Sequence, residues 1–168
     1  MISKLRRMAI EIQRLQPGEE ERLQKVRLDA LKDAPDAFGT TFQEANTWSK
    51  SRWSAQLQSL PTFIALLNGQ DSGIVRSSPH AEKTTVAELI SMWVAPEARG
   101  IGLGEALIDA VISWARAESY SRLVLEVSNE NRFAIALYKR KGFQATGKIS
   151  SFPYPRQQIR EQEMAMKL

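Results

Sequence analysis

Apolar residues in the first third of the chain recur at the spacing of amphipathic helices. Leu23, Val26 and Leu31 follow a Pro-Gly pair and three consecutive glutamates. Acidic residues in a first turn are favoured by the helix dipole, so this pattern predicts a helix over residues 18–31. A weaker pattern of the same kind predicts a second helix over residues 42–57.

The middle of the chain carries two stretches typical of β-strands. An apolar run at residues 63–67 leads into turn-forming residues 68–73, and this order predicts a hairpin. Over residues 86–94 both alternating sets of positions are rich in apolar side chains. We therefore predict a strand there that is covered on both of its faces.

Helical and strand patterns alternate in the second half of the chain. An apolar stripe over residues 103–114 predicts a helix. A strand at 123–127, a helix at 131–142 and a strand from Phe143 follow, and this order indicates a βαβ unit with parallel pairing and a right-handed crossover. The alternating residues 163–168 could then close the sheet as an edge strand.

Composition narrows the class of protein. With 168 residues the chain suits one domain, residues 9–168, and residues 1–8 could form an N-terminal extension outside it. A net charge of +4 from scattered basic residues gives no nucleic-acid footprint, and no apolar run is long enough to predict a membrane span. We therefore expect a cytoplasmic protein that binds neither nucleic acid nor membrane.

Redox and metal chemistry have few candidate residues in this sequence. There is no cysteine, so disulfides, thiolate nucleophiles and Cys-ligated metals are excluded, and we expect no metal cofactor. His80 is the only histidine and lies in a polar stretch after Ser78 and Pro79. It is interpreted as a solvated loop residue.

A glycine-rich segment, residues 99–104, separates the strand at 86–94 from the helix that begins at Leu103. Glycines let a backbone approach a ligand closely, and the free N–H groups of a first helical turn favour phosphate. Counted from Gly100, the third glycine of a dinucleotide fingerprint is replaced by Glu105, which disfavours a nicotinamide site. The alternative is a tight turn without a ligand.

The residues around this loop resemble a known family. Val94-Ala95-Pro96, followed by Arg99, Gly102 and Gly104, is similar to the acetyl-CoA signature of the GNAT superfamily of N-acyltransferases. The resemblance covers roughly residues 86–147. Its second block lies at the expected distance and consists of Leu125, Val127, Asn131, Ala134, Ile135, Leu137, Tyr138, Gly142 and Phe143.

The resemblance implies both a fold and a donor substrate. The fold is an α/β (α+β) domain with a mixed, mostly antiparallel twisted sheet, splayed central parallel strands and flanking helices. Acetyl-CoA would donate the acyl group, with its pantetheine arm on the exposed edge of the first splayed strand and its pyrophosphate on the amides of the glycine loop. The implied cofactor-binding residues are Met92, Trp93, Val94, Arg99, Gly100, Ile101, Gly102, Leu103, Gly104, Glu105, Asn131, Ala134 and Tyr138.

Proton transfer has two first candidates, Tyr138 and Glu88, and one in reserve. The resemblance implies that Tyr138 is the general acid that protonates the departing thiolate. Glu88 occupies the strand position of the general base in some family members, and alternation would point Glu88, Ile90, Met92 and Val94 to one face. Glu126 on the next strand is the reserve candidate for the base.

The expected reaction is direct attack of a primary amine on the thioester in a ternary complex. The binding site for the acceptor amine would be shaped by residues 33–53 and 150–160. The sequences of these two segments do not identify the amine. Phe152 and Tyr154 could form a lid or a contact in a homodimer. The alternative function is a non-catalytic acyl-CoA-binding sensor or interaction module.

Overall fold

A computed structural model describes residues 8–168, so residues 1–7 of the predicted extension lie outside the described part. Its five helices are α1 (Glu20–Asp33), α2 (Phe42–Asn46), α3 (Lys50–Ser59), α4 (Leu103–Ala117) and α5 (Arg132–Arg140). None of the helices in residues 8–168 combines the length and apolar character that crossing a bilayer requires. The strands are β1 (Ile10–Arg14), β2 (Thr62–Leu67), β3 (Gln70–Pro79), β4 (Val86–Val94), β5 (Arg122–Ser128), β6 (Gln144–Ser151) and β7 (Arg160–Lys167).

The strands form one sheet in the order β1-β2-β3-β4-β5-β7-β6. Neighbouring strands pair antiparallel except β4 and β5, which are parallel and are connected through α4. The predicted mixed, mostly antiparallel sheet with flanking helices is therefore confirmed. Parallel neighbours need a long crossover connection, and α4 provides it between β4 and β5.

Two predictions about the C-terminal strands are wrong. The strands before and after α5 are not neighbours, because β7 lies between β5 and β6. The last strand is therefore an inner strand, and β6 is the edge. Burial explains the order, because Met164 and Ala165 of β7 are buried whereas nearly all of β6 is exposed.

The N-terminal half departs from the hydrophobic pattern in two places. Strand β1, which no sequence pattern singled out, pairs antiparallel with β2. The helix predicted over residues 42–57 is two helices, because side chains cap each N-terminus separately. Thr41 forms a capping box with Glu44 at α2, and Ser49 accepts a hydrogen bond from the Arg52 amide at α3.

The helices pack on opposite faces of the sheet. An ideal Cβ built at Gly73 of β3 would lie 3.1 Å from Leu107 Cδ1, so this position faces α4. On the other face, Trp93 of β4 donates a 2.9 Å hydrogen bond to Asp33 at the end of α1. Ion pairs join α5 to α4 on the first face, and α1 packs against α2 and α3 on the second.

Replacing Leu107 with alanine should lower the free energy of unfolding by about 2–5 kcal/mol. Its side chain is fully buried and fills the groove over Gly73, so truncation leaves a cavity between α4 and the sheet. Urea unfolding measures the change. Ile149→Ala, at an exposed position on β6, is the control and should change the midpoint little.

Candidate active site

The parallel pairing of β4 and β5 ends partway along both strands. The last paired residues are Glu88 and Val124, although β4 continues to Val94 and β5 to Ser128. Beyond Glu88 the β5-facing edge of β4 has no strand partner among residues 8–168. The predicted splay of the central strands is thus present, and the edge from Met92 to Val94 borders the gap.

A β-bulge lies on β4 at the gap. Ile90 pairs with Arg76 of β3 and Trp93 pairs with Ile74, so β4 has one more residue than β3 between these pairs. Ser91 adopts a φ of 57°, in the left-handed region that non-glycine residues rarely occupy. The extra residue bends the strand away from regular pairing next to the gap.

The bulge overturns the predicted common face of Glu88, Ile90, Met92 and Val94. Val94 pairs with Gly73 and faces α4, whereas Trp93 points towards α1. Because the extra residue reverses the alternation, Glu88 and Ile90 share the α1 face with Trp93. Met92 turns to the α4 face, with its Cε 3.3 Å from an ideal Cβ at Gly104.

The glycine loop bends sharply into α4. Gly100 and Gly102 have φ values of 78° and 99°, which an L-residue adopts only with strain. Gly102 is the N-cap of α4 and provides no side-chain acceptor, so the first-turn amides receive no side-chain cap. Gly104 has a different role, which is to avoid a steric clash. A Cβ at this position would lie 3.0 Å from Leu137 of α5. The first two glycines shape the loop, and the third allows α4 to pack closely on α5.

The side chain of Arg99 joins β4 to α1. Its guanidinium donates to the Val94 carbonyl at 3.0 Å and forms an ion pair with Asp33. The same Asp33 carboxylate accepts the hydrogen bond from the Trp93 indole. Arg99 therefore holds the end of β4 beside the loop, and its charge is already paired with a carboxylate.

Asn131 and Tyr138 lie on α5, as the spacing predicted. The Asn131 side chain accepts a 3.2 Å hydrogen bond from the Ala134 amide, which confirms its interpretation as a helix N-cap. Tyr138 is only 5% exposed, and its ring packs edge-on against Phe143 with centroids 5.7 Å apart. Burial raises the pKa of the Tyr138 phenol above its ordinary value. The phenol is therefore neutral and able to donate a proton throughout the physiological range.

A cleft of about 490 Å³ opens on the α1 face of the sheet, beside the gap. Residues 37–40 and 150–153 contribute to its wall, so the two segments predicted to shape the acceptor site do meet there. Arg156 holds them together by donating to the carbonyls of Pro35, Phe38 and Gly39. The titratable residues that line the cleft are Arg27, His80, Glu88, Glu126, Lys148, Glu161 and Glu163.

Glu88 lies in the cleft beside His80. Burial, with a contribution from the Glu126 carboxylate, raises the pKa of Glu88, while the neighbouring His80 acts in the opposite direction. His80 Nε2 is 3.9 Å from Glu88 Oε1, and the imidazole is only 16% exposed. The interpretation of His80 as a solvated loop residue is therefore wrong. The β3–β4 turn folds it against the strand that carries Glu88.

Glu161 is a candidate base that the sequence did not single out. It lies at the start of β7, opposite Ser128 at the open end of the gap. Burial and the nearby Glu126 raise the pKa of Glu161 to about 7. No hydrogen bond or ion pair reaches its carboxylate from within residues 8–168. An alternating Glu161-Gln162-Glu163 pattern was visible, but only the strand order brings it to β5.

The comparisons identify the family. Residues 25–143 match the family model described as "Acetyltransferase (GNAT) family". The chain therefore belongs to the GNAT acetyltransferase family.

Individual relatives agree with this assignment. The chain is 31% identical over 113 residues, 64% of its length, to an uncharacterized N-acetyltransferase of Methanocaldococcus jannaschii, of which the match covers 50%. It spans about half or less of the length of the curated relatives it matches first.

Two solved structures share the fold. An acetyltransferase of the GNAT family from Streptococcus pneumoniae superposes with a TM-score of 0.79 and 22% identity, covering 95% of this chain and 99% of that one. The protein yncA of Salmonella typhimurium, solved with its cofactor acetyl-CoA, superposes with a TM-score of 0.76 and 19% identity. This match covers 95% of this chain and 94% of that one.

Proposed function

We propose that this protein is an acyl-CoA-dependent N-acyltransferase that transfers an acyl group, acetyl in the simplest case, to a primary amine. One observation carries the proposal. The β4–β5 gap is bordered on one face by the uncapped N-terminus of α4 and on the other by a cleft rich in carboxylates. A thioester that passes through the gap would meet an amine held in the cleft.

The donor is proposed to bind as the family resemblance implies. The backbone of Met92, Trp93 and Val94 would hold the pantetheine arm, and the amides of residues 99–105 would receive the pyrophosphate. The missing side-chain cap at Gly102 supports this role, because those amides would otherwise lack partners. Asn131 and Ala134 at the start of α5 would contact the donor from the opposite side of the gap.

The proposed reaction is a direct transfer without a covalent enzyme intermediate. The neutral amine attacks the thioester carbon, a C–N bond forms, and the resulting oxyanion accepts a hydrogen bond from a backbone N–H near Val94. Collapse of this intermediate breaks the C–S bond. Tyr138 then gives its phenolic proton to the leaving thiolate, while a carboxylate in the cleft removes the proton from the amine.

We assign the role of base to Glu161, directly or through a water molecule. At pH 7 an alkyl amine with a pKa of about 10.4 costs about 4–5 kcal/mol to deprotonate, so a base of suitable pKa matters. Glu161, with a pKa of about 7, fits this need and lies at the open end of the gap. Glu88 and Glu126 lie further from the open end of the gap, near the last β4–β5 pair.

In the wild type, kcat/KM should rise with pH through about 7, as Glu161 loses its proton. Glu161→Gln should remove this inflection and lower kcat/KM at neutral pH by about 100-fold. The measurement is a pH profile of thiol release. Glu88→Gln is the comparison within the cleft. If Glu88→Gln instead of Glu161→Gln removed the inflection, the base would be Glu88.

Stability provides a check on the same variant. Because the folded-state pKa of Glu161 is raised, ionisation disfavours the fold, and stability falls as pH rises from about 4.3 through about 7. Glu161→Gln should therefore melt above the wild type at alkaline pH and close to it in acid. Glu118→Gln, at an exposed position after α4, should show no such difference.

A further inference from the structure

One buried cation in the cleft has no anionic partner among residues 8–168. Arg27, on α1, is 6% exposed and lines the cleft. Its Nη1 is sealed from solvent and has no hydrogen-bond partner within residues 8–168. Its contact with an aromatic ring is the cation–π approach to Phe38, with the guanidinium carbon 4.9 Å from the ring centroid.

The surroundings of Arg27 do not neutralise its charge. Burial alone lowers the pKa of the guanidinium to about 10, so it stays charged at neutral pH. Arg76 is buried close enough to repel it and, in the described part of the chain, is itself bound only by the neutral oxygens of Thr62 and Gln56. By contrast, Arg22 and Arg99 form ion pairs with Asp71 and Asp33. An unpaired buried guanidinium is costly, so this end of the cleft is suited to an anion.

The rest of the cleft has the opposite charge. Glu88, Glu126, Glu161 and Glu163 lie on the same face of β4, β5 and β7. Lys148 is 3.5 Å from Glu163, and His80 is 3.9 Å from Glu88, whereas Glu126 and Glu161 have no cationic partner in residues 8–168. The cleft thus offers one buried cation and a wall of carboxylates in about 490 Å³, a volume typical of small-ligand sites.

We propose that the acceptor is a zwitterionic amine, a free amino acid, whose carboxylate binds Arg27 while its amine faces the glutamates. The guanidinium presents paired N–H donors in the geometry of a carboxylate, and the glutamates provide both attraction and the base. This inference rests on the proposed function of the same site. The acidic wall alone would equally suit a polyamine or a basic peptide. Arg27 is the feature that favours the amino acid.

The test compares matched compounds by calorimetry with protein saturated with coenzyme A. Each of the twenty free amino acids is titrated beside its amide and, where one exists, its decarboxylated amine. At least one free acid should bind about 100-fold more tightly than its amide and amine, because both of these leave the buried guanidinium unpaired. Thiol release from acetyl-CoA should follow the same order.

Arg27→Met should weaken binding of the preferred acid about 100-fold and leave the matched amine nearly unchanged. Arg27→Lys should retain part of the preference, since it keeps the charge. Loss of an unpaired buried charge should leave the melting temperature of Arg27→Met equal to or above that of the wild type. Arg52→Met, at an exposed site over Trp48, is the control and should alter neither affinity nor preference.

Three results would overturn the inference while the acyltransferase assignment survives. The first is binding and turnover of amides, amines or polyamines at least as good as those of the free acids. The second is equal loss of affinity for acid and amine in Arg27→Met, and the third is failure of every free acid to bind. Arg27-dependent binding of an acid without thiol release would support the carboxylate site and contradict the proposed transfer. If Arg27→Met does not fold, the wild-type acid-to-amine ratio and Arg27→Lys still decide the outcome.

Discussion

Tyr138→Phe should lower kcat for amine acetylation by about 100-fold or more and leave the affinity for acetyl-CoA unchanged. The substitution removes only the phenolic hydroxyl, which has no hydrogen-bond partner within residues 8–168. The remaining ring still packs against Phe143. Because burial raises the pKa of Tyr138, the wild-type phenol stays protonated and can donate to the sulfur as the C–S bond breaks beside it. Steady-state thiol release measures kcat, and calorimetry measures the affinity.

The control for this variant is Tyr120→Phe. Tyr120 packs against Trp114 of α4 with ring centroids 5.5 Å apart and does not border the gap. The Tyr120→Phe variant should therefore keep the wild-type kcat. A Tyr138→Phe protein that melts normally and retains full kcat would show that Tyr138 only packs, and the proton would then have to come from water.

Gly102→Glu should weaken acetyl-CoA binding by about 100-fold or more. The position is the N-cap of α4, with a φ of 99° and no heavy atom within 4 Å of an ideal Cβ, so the new side chain projects from the loop. Its carboxylate would occupy the place proposed for the pyrophosphate and repel it. Calorimetric titration with acetyl-CoA measures the loss.

A matched glycine separates repulsion from backbone strain. Gly18, in the turn before α1, has the same φ of 99° and equally open surroundings. Each substitution should cost about 1–2 kcal/mol of stability from the left-handed backbone. Gly18→Glu should nevertheless bind acetyl-CoA as the wild type does. Equal affinity in the two variants would contradict the placement of the donor on the glycine loop.

Much of the site follows from local sequence pattern. The strand at 86–94, the glycine loop and the long apolar stripe of α4 are strongly patterned, so their positions could be predicted within a few residues. Asn131 and Tyr138 are separated by two helical turns, which placed them on one helix correctly. These features depend on contacts close in sequence.

What the sequence did not reveal depends on contacts far apart in the chain. The bulge at Ser91 exists only relative to β3, and it moves Met92 to the face opposite Glu88. Glu161 joins the cleft because β7 is an inner strand, paired with β5 on one side and with the edge strand β6 on the other. In the sequence, Arg27 resembles an ordinary polar residue of α1, and only the folded structure shows that it lines the cleft.

Acyl transfer to an amine is tested most directly by thiol release from acetyl-CoA across a panel of amines, with acetylated amine identified by mass spectrometry. The wild type should release coenzyme A only when a suitable amine is present, with one acetylated amine formed per thiol. Tight binding of acetyl-CoA without turnover of any amine would contradict the proposed transfer and favour a non-catalytic acyl-CoA-binding module.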